Sequence, residues 1–135
     1  LTGGTAEGRV LQPTILENAP PQSFVCSREA FAPLVTLFPV KNFAEAVDRV
    51  NDSVYGLQAG VFTNNLERAL YAFERIETGG IIMNDIPTYR IDHMPYGGVK
   101  ASGLSREGLR YAIEDMTEMR LLVINRLESQ AVKSA

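Results

Sequence analysis

The sequence predicts an α/β fold with a parallel-sheet core of β-α-β-α-β type, and three observations carry that prediction. Short apolar, β-branched runs alternate with amphipathic stretches at helical spacing; two Asn-Xaa-Xaa-Glu pairs stand where those helices would start; and Gly79-Gly80 separates the second helical stretch from the next apolar run. Residues 34–40 (LVTLFPV) have the composition of a strand buried on both faces. Asn42 caps the helix that follows while Glu45 reaches back to the cap's own amide, and Phe43, Ala46, Val47 and Val50 form its apolar face. Residues 58–63 make the second strand. Asn64 and Glu67 repeat the capping box, and Leu66, Ala69, Leu70, Phe73 and Ile76 recur at helical spacing. Residues 80–84 (GIIMN) complete the series, which right-handed crossovers turn into a parallel sheet covered by helices. A third helix is expected from about Ser105, with Leu109, Ala112, Ile113 and Met116 inward. Residues 120–126 (RLLVINR) read as a final strand and the tail from Glu128 as loose. Upstream, Pro13 confines a strand over 10–16 to an edge or a bulge.

Composition bounds the function. At 135 residues, with 45% hydrophobic and 21% charged side chains, the chain has the makeup of one soluble globular domain. Thirteen Lys and Arg against sixteen Asp and Glu leave a formal charge of -3, with no basic run, so neither nucleic acid nor an anionic membrane is an expected partner. No apolar stretch approaches the roughly 20 residues of a membrane helix, and no signal-peptide pattern opens the chain, which makes the cytoplasm the expected compartment. The single cysteine, Cys26, excludes an internal disulfide and a multi-cysteine zinc site, and no metal site is expected. The chain begins at Leu1 rather than Met and runs straight into Gly3-Gly4, which points to an origin in a longer polypeptide.

The stretch between Asn84 and Ser105 lacks periodicity yet holds Pro87, Tyr89, Arg90, Asp92, His93 and Tyr96. A long irregular segment inside a compact domain is usually functional, and in open parallel sheets ligands gather beyond the carboxyl ends of the strands, where this segment starts. Within it, Gly98 and Gly103 have the spacing of a phosphate loop, but Leu104 stands where the lysine should be. Positive φ or close backbone approach is the better reading of these glycines. His93 is the only histidine, and its spacing to other residues defines no triad. Arg90 and Asp92 could orient an acidic substrate, although a solvated loop pair is the commoner arrangement. Cys26 lies two residues from Arg28, but inert packing is the favoured reading for a lone cysteine.

In order, these segments resemble the closing third of the aldehyde dehydrogenase superfamily, over residues 1–125. Residues 28–33 (REAFAP) are similar to its Glu-Xaa-Phe-Gly-Pro signature, with Glu29, Phe31 and Pro33 matching and Ala32 in the glycine's place. Asn51, Tyr55-Gly56-Leu57, Ala59, Val61-Phe62-Thr63 and residues 79–84 follow in family order. The most specific stretch, 94–108 (MPYGGVKASGLSREG), resembles Pro-Phe-Gly-Gly-Xaa-Lys-Xaa-Ser-Gly-Xaa-Xaa-Arg-Glu. The resemblance implies that Glu29 hydrogen-bonds the nicotinamide-ribose hydroxyls of NAD or NADP and that Phe31 packs near the nicotinamide. It implies that residues 85–96 line the tunnel for a small aldehyde, with Arg90, His93 and Tyr96 facing the substrate. The run 89–94 (YRIDHM) is similar to the branch that handles short hydroxy-, phospho- or otherwise anionic aldehydes, such as lactaldehyde dehydrogenases and non-phosphorylating glyceraldehyde-3-phosphate dehydrogenases. Arg90 could clamp a carboxylate or phosphate there.

The family attacks the aldehyde with a cysteine in a Phe-Xaa-Asn-Xaa-Gly-Gln-Xaa-Cys context, forming a thiohemiacetal that is oxidised and then hydrolysed with help from a glutamate. Neither motif occurs in this sequence, nor does the glycine-rich coenzyme domain, and Cys26 is not at the nucleophile's position. The resemblance therefore implies a carboxy-terminal part of a catalytic domain over 1–118, an oligomerisation strand over 119–127 and a flexible tail over 128–135. It implies a homo-oligomer, and a chain that is inactive without the remainder of its polypeptide. The rival expectation is a free-standing, non-catalytic α/β interaction or assembly module.

Overall fold

The computed structural model describes residues 2–125. Pro13 has no N–H to give to a ladder, and the strand expected over 10–16 divides there. β1 (Ala6–Glu7) and β2 (Val10–Leu11) form a short antiparallel hairpin, while β3 (Thr14–Glu17) runs parallel to β4 (Leu34–Leu37), pairing Thr14 with Leu34 and Glu17 with Leu37. One helical turn, α1 (Phe24–Ser27), lies in the crossover between β3 and β4.

The helix α2 (Phe43–Asn51) starts on Asn42, whose Oδ1 accepts the Glu45 amide at 2.9 Å. The return bond goes one residue further back than expected, since Glu45 Oε2 accepts the N–H of Lys41, not of Asn42. After β5 (Tyr55–Gly56) and β6 (Gln58–Val61), α3 (Leu66–Arg75) starts on Asn65 rather than on the expected Asn64, with Asn65 Oδ1 accepting the Arg68 amide at 3.0 Å. The shift has a local cause: Asn84 Oδ1 accepts the Thr63 amide and Thr63 Oγ1 accepts that of Asn65, which keeps 63–65 extended against the end of β7 (Gly80–Met83). β6 and β7 are parallel, pairing Gln58 with Gly80 and Val61 with Met83.

Val47, Val61, Ala72 and Ile76 form the buried core, flanked by Phe43, Ala59, Tyr71, Ile81 and Met83. α3 turns Ala72 inward, as its C-cap Ile76 does, and leaves Leu66, Leu70 and Phe73 exposed, so its apolar residues form two faces of which the described residues cover one. Alternation of strand and helix is as expected, but β4 and β6 are not hydrogen-bonded to each other. The structure holds two separate two-stranded parallel sheets, β3-β4 and β6-β7, in place of one three-stranded core. A crossover helix can join strands that are not neighbours, and sequence periodicity does not distinguish the two cases.

Beyond β7, β8 (Val99–Lys100) pairs antiparallel with β5. The last helix, α4 (Leu109–Asp115), begins four residues later than expected from Ser105, after Gly108 at φ +113°, because 105–108 runs alongside Tyr96 instead. Its expected inward residues Leu109, Ile113 and Met116 are exposed. Residues 117–125 show no strand, and Leu121 to Ile124 are exposed side by side. A strand satisfies its backbone through a neighbour, and no other segment of the described chain pairs with this one. Arg126 and the tail 128–135 lie outside the described residues.

The glycines of 97–98 act by close approach. A Cβ on Gly79 would stand 1.6 Å from the carbonyl oxygen of Gly97, and one on Gly97 would stand 2.4 Å from that of Ser105. Backbone meets backbone at both crossings, so no side-chain rearrangement can make room. Gly79→Ala is expected to cost about 3 kcal/mol or more of stability, read as a lowered urea midpoint; an unchanged midpoint would contradict this crossing.

Candidate active-site cleft

Residues 85–96 do not extend outward from the carboxyl end of β7. They double back along β6: a Cβ on Gly60 would meet the carbonyl oxygen of Asp85 at 2.6 Å, and Gln58 Nε2 donates to the carbonyl oxygen of Tyr89 at 3.0 Å. Since β6 runs from Gln58 to Val61, the returning segment brings Tyr89 to the strand's amino-terminal end. The expectation that the polar cluster sits beyond the carboxyl ends is thereby corrected.

At that amino-terminal end opens a cleft of about 450 Å³ whose walls include Glu29, Tyr55, Gln58, Thr78 and Ser102. Ser102 Oγ accepts the Gly56 amide at 3.0 Å, which leaves its proton available to donate. Glu29 forms no ion pair and no side-chain hydrogen bond among the described residues, so its carboxylate oxygens are free acceptors in the cleft wall. Residues next in the chain to the cleft lining are tied together. Lys100, at φ +54°, donates through Nζ to the carbonyl oxygens of Asn51 (2.8 Å) and Ser53 (3.2 Å) at the carboxyl end of α2 and pairs with Glu77 at 2.7 Å. Asn51 donates to the carbonyl oxygen of Arg75 and accepts the Glu77 amide, clasping the end of α3 to that of α2.

A second cluster forms around Arg90. Its guanidinium pairs with Glu107 (Nη2 to Oε2, 2.8 Å) and lies over the Tyr96 ring, 5.0 Å from the centroid. Of the residues that the resemblance implies at the substrate, Arg90 and Tyr96 lie together; Glu107 joins them with no periodic signal in the sequence to single it out. His93 is exposed in the turn 91–94, closed by the Met94 amide on the Ile91 carbonyl, and is not joined to Arg90 or Tyr96 by any hydrogen bond among the described residues. Phe31 is 91% exposed. It follows Glu29 by two residues on a kinked segment, where the Ala32 and Leu34 amides donate to the carbonyls of Ala30 and Ala32, and it does not line Glu29's cleft. Gln58 and Ser102 were also missed, because a lone amide at a strand start and a serine between an alanine and a glycine look like ordinary surface residues.

Cys26 is partly buried on α1, 3.9 Å from the carbonyl oxygen of Ala19. Arg28 stacks on the Phe24 ring, 4.4 Å from its centroid. Among the described residues no group of three or more His, Cys, Asp or Glu side chains could hold a metal ion, and no helix is long and apolar enough to cross a membrane.

Residues 1–122 match the aldehyde dehydrogenase family, and the chain belongs to that family. It is similar to the 3-sulfolactaldehyde dehydrogenase of Priestia aryabhattai, at 51% identity over 123 residues, covering 91% of this chain and 26% of that protein. Among solved structures it resembles aldehyde dehydrogenase 21 from Physcomitrella patens in complex with the reaction product succinate, with a TM-score of 0.89, 45% identity, and 96% of this chain and 27% of that one covered. It also resembles a glyceraldehyde-3-phosphate dehydrogenase from Methanocaldococcus jannaschii complexed with NADP, with a TM-score of 0.78, 41% identity, and 86% and 25% covered. The chain thus spans about a quarter of the length of the relatives it matches.

Proposed function

We propose that this chain is the carboxy-terminal part of the catalytic domain of an NAD(P)-dependent dehydrogenase that oxidises a short anionic aldehyde to the carboxylic acid. The observation that carries this reading is the free carboxylate of Glu29 in a cleft of mixed polar and apolar lining, set in a chain similar to a 3-sulfolactaldehyde dehydrogenase and to structures solved with succinate or NADP. The cleft fits a ribose: a carboxylate can accept from both vicinal hydroxyls, and the Ser102 hydroxyl adds a donor. Glu29 would hold the nicotinamide ribose, with the exposed Phe31 ring against the nicotinamide. The bound cofactor supplies a hydride acceptor, which no side chain can replace. Arg90, Tyr96 and His93 would face the substrate, with Arg90 supplying charge for its anionic group.

The nucleophilic cysteine and the general-base glutamate belong, in this reading, to polypeptide outside this sequence. In this reading residues 1–118 complete the catalytic domain and an oligomerisation strand begins at 119. The exposed Leu121, Leu122, Val123 and Ile124 support the strand's assignment, since an apolar edge of this kind is a template for pairing with another copy. The same surface is what a non-catalytic assembly module would use. An upstream reading frame carrying the cysteine and glutamate motifs decides for the enzyme, and a start codon just before Leu1 decides for the module.

Three outcomes are expected. In the full-length protein, Glu29→Gln raises the KM for the nicotinamide cofactor about tenfold to a hundredfold; an unchanged cofactor KM removes Glu29 from the site. The 135-residue chain alone, incubated with NAD or NADP and a panel of aldehydes, produces no reduced cofactor above background. Light scattering of that chain gives a mass above the monomer that falls on Val123→Asp, whereas a clean monomer at high concentration contradicts pairing through 119–127.

A further inference from the structure

We infer that Glu107 is a positioning residue for Arg90 and, through it, sets the preference for anionic over neutral aldehydes. This rests on the assignment of Arg90 to substrate recognition.

The guanidinium is held on two sides, by the Glu107 carboxylate at 2.8 Å and by the face of Tyr96 at 5.0 Å from the ring centroid. These two holders are fastened to each other. The Tyr96 amide donates to the Glu107 carbonyl at 3.2 Å and the Glu107 amide to the Tyr96 carbonyl at 2.6 Å, an isolated antiparallel bridge. Gly108 permits the bridge: it adopts φ +113°, and a Cβ there would stand 2.7 Å from the carbonyl oxygen of Met94, so the close approach of 107–108 to residue 94 needs a glycine. Arg106 adds a further tie, donating through Nη1 to the carbonyl of Gly98 at 2.7 Å.

Arg90 itself sits in the irregular segment, where a long flexible side chain would otherwise sample many rotamers. Fixing it before the substrate arrives removes an ordering cost from binding. Of the five N–H donors of a guanidinium, the single bond to Glu107 uses one, and the side chain remains 52% exposed, so donors are left for a carboxylate, sulfonate or phosphate. An ion pair this exposed adds little stability of its own. Its consequence is where the guanidinium points.

The test is steady-state kinetics on the full-length protein with two substrates of equal chain length, an aldehyde bearing a terminal carboxylate or sulfonate and the neutral alkanal. The readout is the ratio of kcat/KM between them. Glu107→Ala is expected to lower that ratio about fivefold, through KM for the anionic aldehyde. Glu107→Gln, which keeps an oxygen acceptor for Arg90, is expected to restore most of it. Arg90→Leu is expected to lower the ratio about tenfold or more. If Arg90→Leu leaves the ratio unchanged, the assignment of Arg90 fails and the inference with it. If Arg90→Leu lowers the ratio while Glu107→Ala does not, or if Glu107→Ala depresses kcat on both aldehydes alike, only the positioning role is overturned. Should Glu107→Ala be recovered unfolded, Glu107→Asp, with its reach shortened by one methylene, is measured instead, and the same loss through KM decides.

Discussion

Two backbones meeting at Gly79 and Gly97, with no side chain between them, is the constraint on which the rest of the site depends. A single methyl group at Gly79 would occupy the Gly97 carbonyl oxygen. Because it is absent, residues 94–108 lie directly against the entry to β7. From that position Ser102 reaches the Gly56 amide, Lys100 reaches the carboxyl end of α2, and Glu107 pairs with Tyr96 and Arg90. The polar groups around the cleft are thus placed by a steric allowance, and their hydrogen bonds then fix the details.

The apolar side of the balance is thinner. Among the described residues four hydrophobic side chains are buried, while Leu66, Leu70 and Phe73 on α3 and Leu109, Ile113 and the C-cap Met116 of α4 face outward. Amphipathic periodicity in these helices is therefore greater than this chain can bury by itself. In the proposed reading the further polypeptide of the parent enzyme covers those faces, and the cleft containing Glu29 becomes one wall of a site with a second wall supplied by the coenzyme domain. The same reading explains why Phe31, an aromatic ring at 91% exposure, sits on a segment beside that cleft.

What could be read from the sequence divides along physical lines. Local signals were legible: the Asn42 cap and the core position of Val47 follow from spacing, Pro13 interrupts its strand, Gly98 serves close approach and Gly103 takes a positive φ of +144°. The shifted cap at Asn65 was not, because it is set by Thr63 and Asn84 from another element. Nor was the pairing of strands, since nothing in β4 or β6 specifies its neighbour. The direction of residues 85–96 also escaped, as the bonds that turn them back involve Gln58 and Gly60, which carry no sequence signal. For the proposed site, Glu29 and Phe31 are named through resemblance alone, whereas Arg90 also stands out by its charge in the irregular segment; the contacts of Glu107 and Ser102 emerged only with coordinates, because they join residues far apart in the chain.

The most direct measurement is a crystal structure of the full-length protein with its oxidised nicotinamide cofactor bound. The Glu29 carboxylate should then stand within about 3 Å of the nicotinamide-ribose hydroxyls, with the Phe31 ring against the nicotinamide. A cofactor seated elsewhere, with Glu29 turned to solvent and Phe31 packed in a subunit contact, would contradict the central claim that this cleft is one wall of the dehydrogenase site.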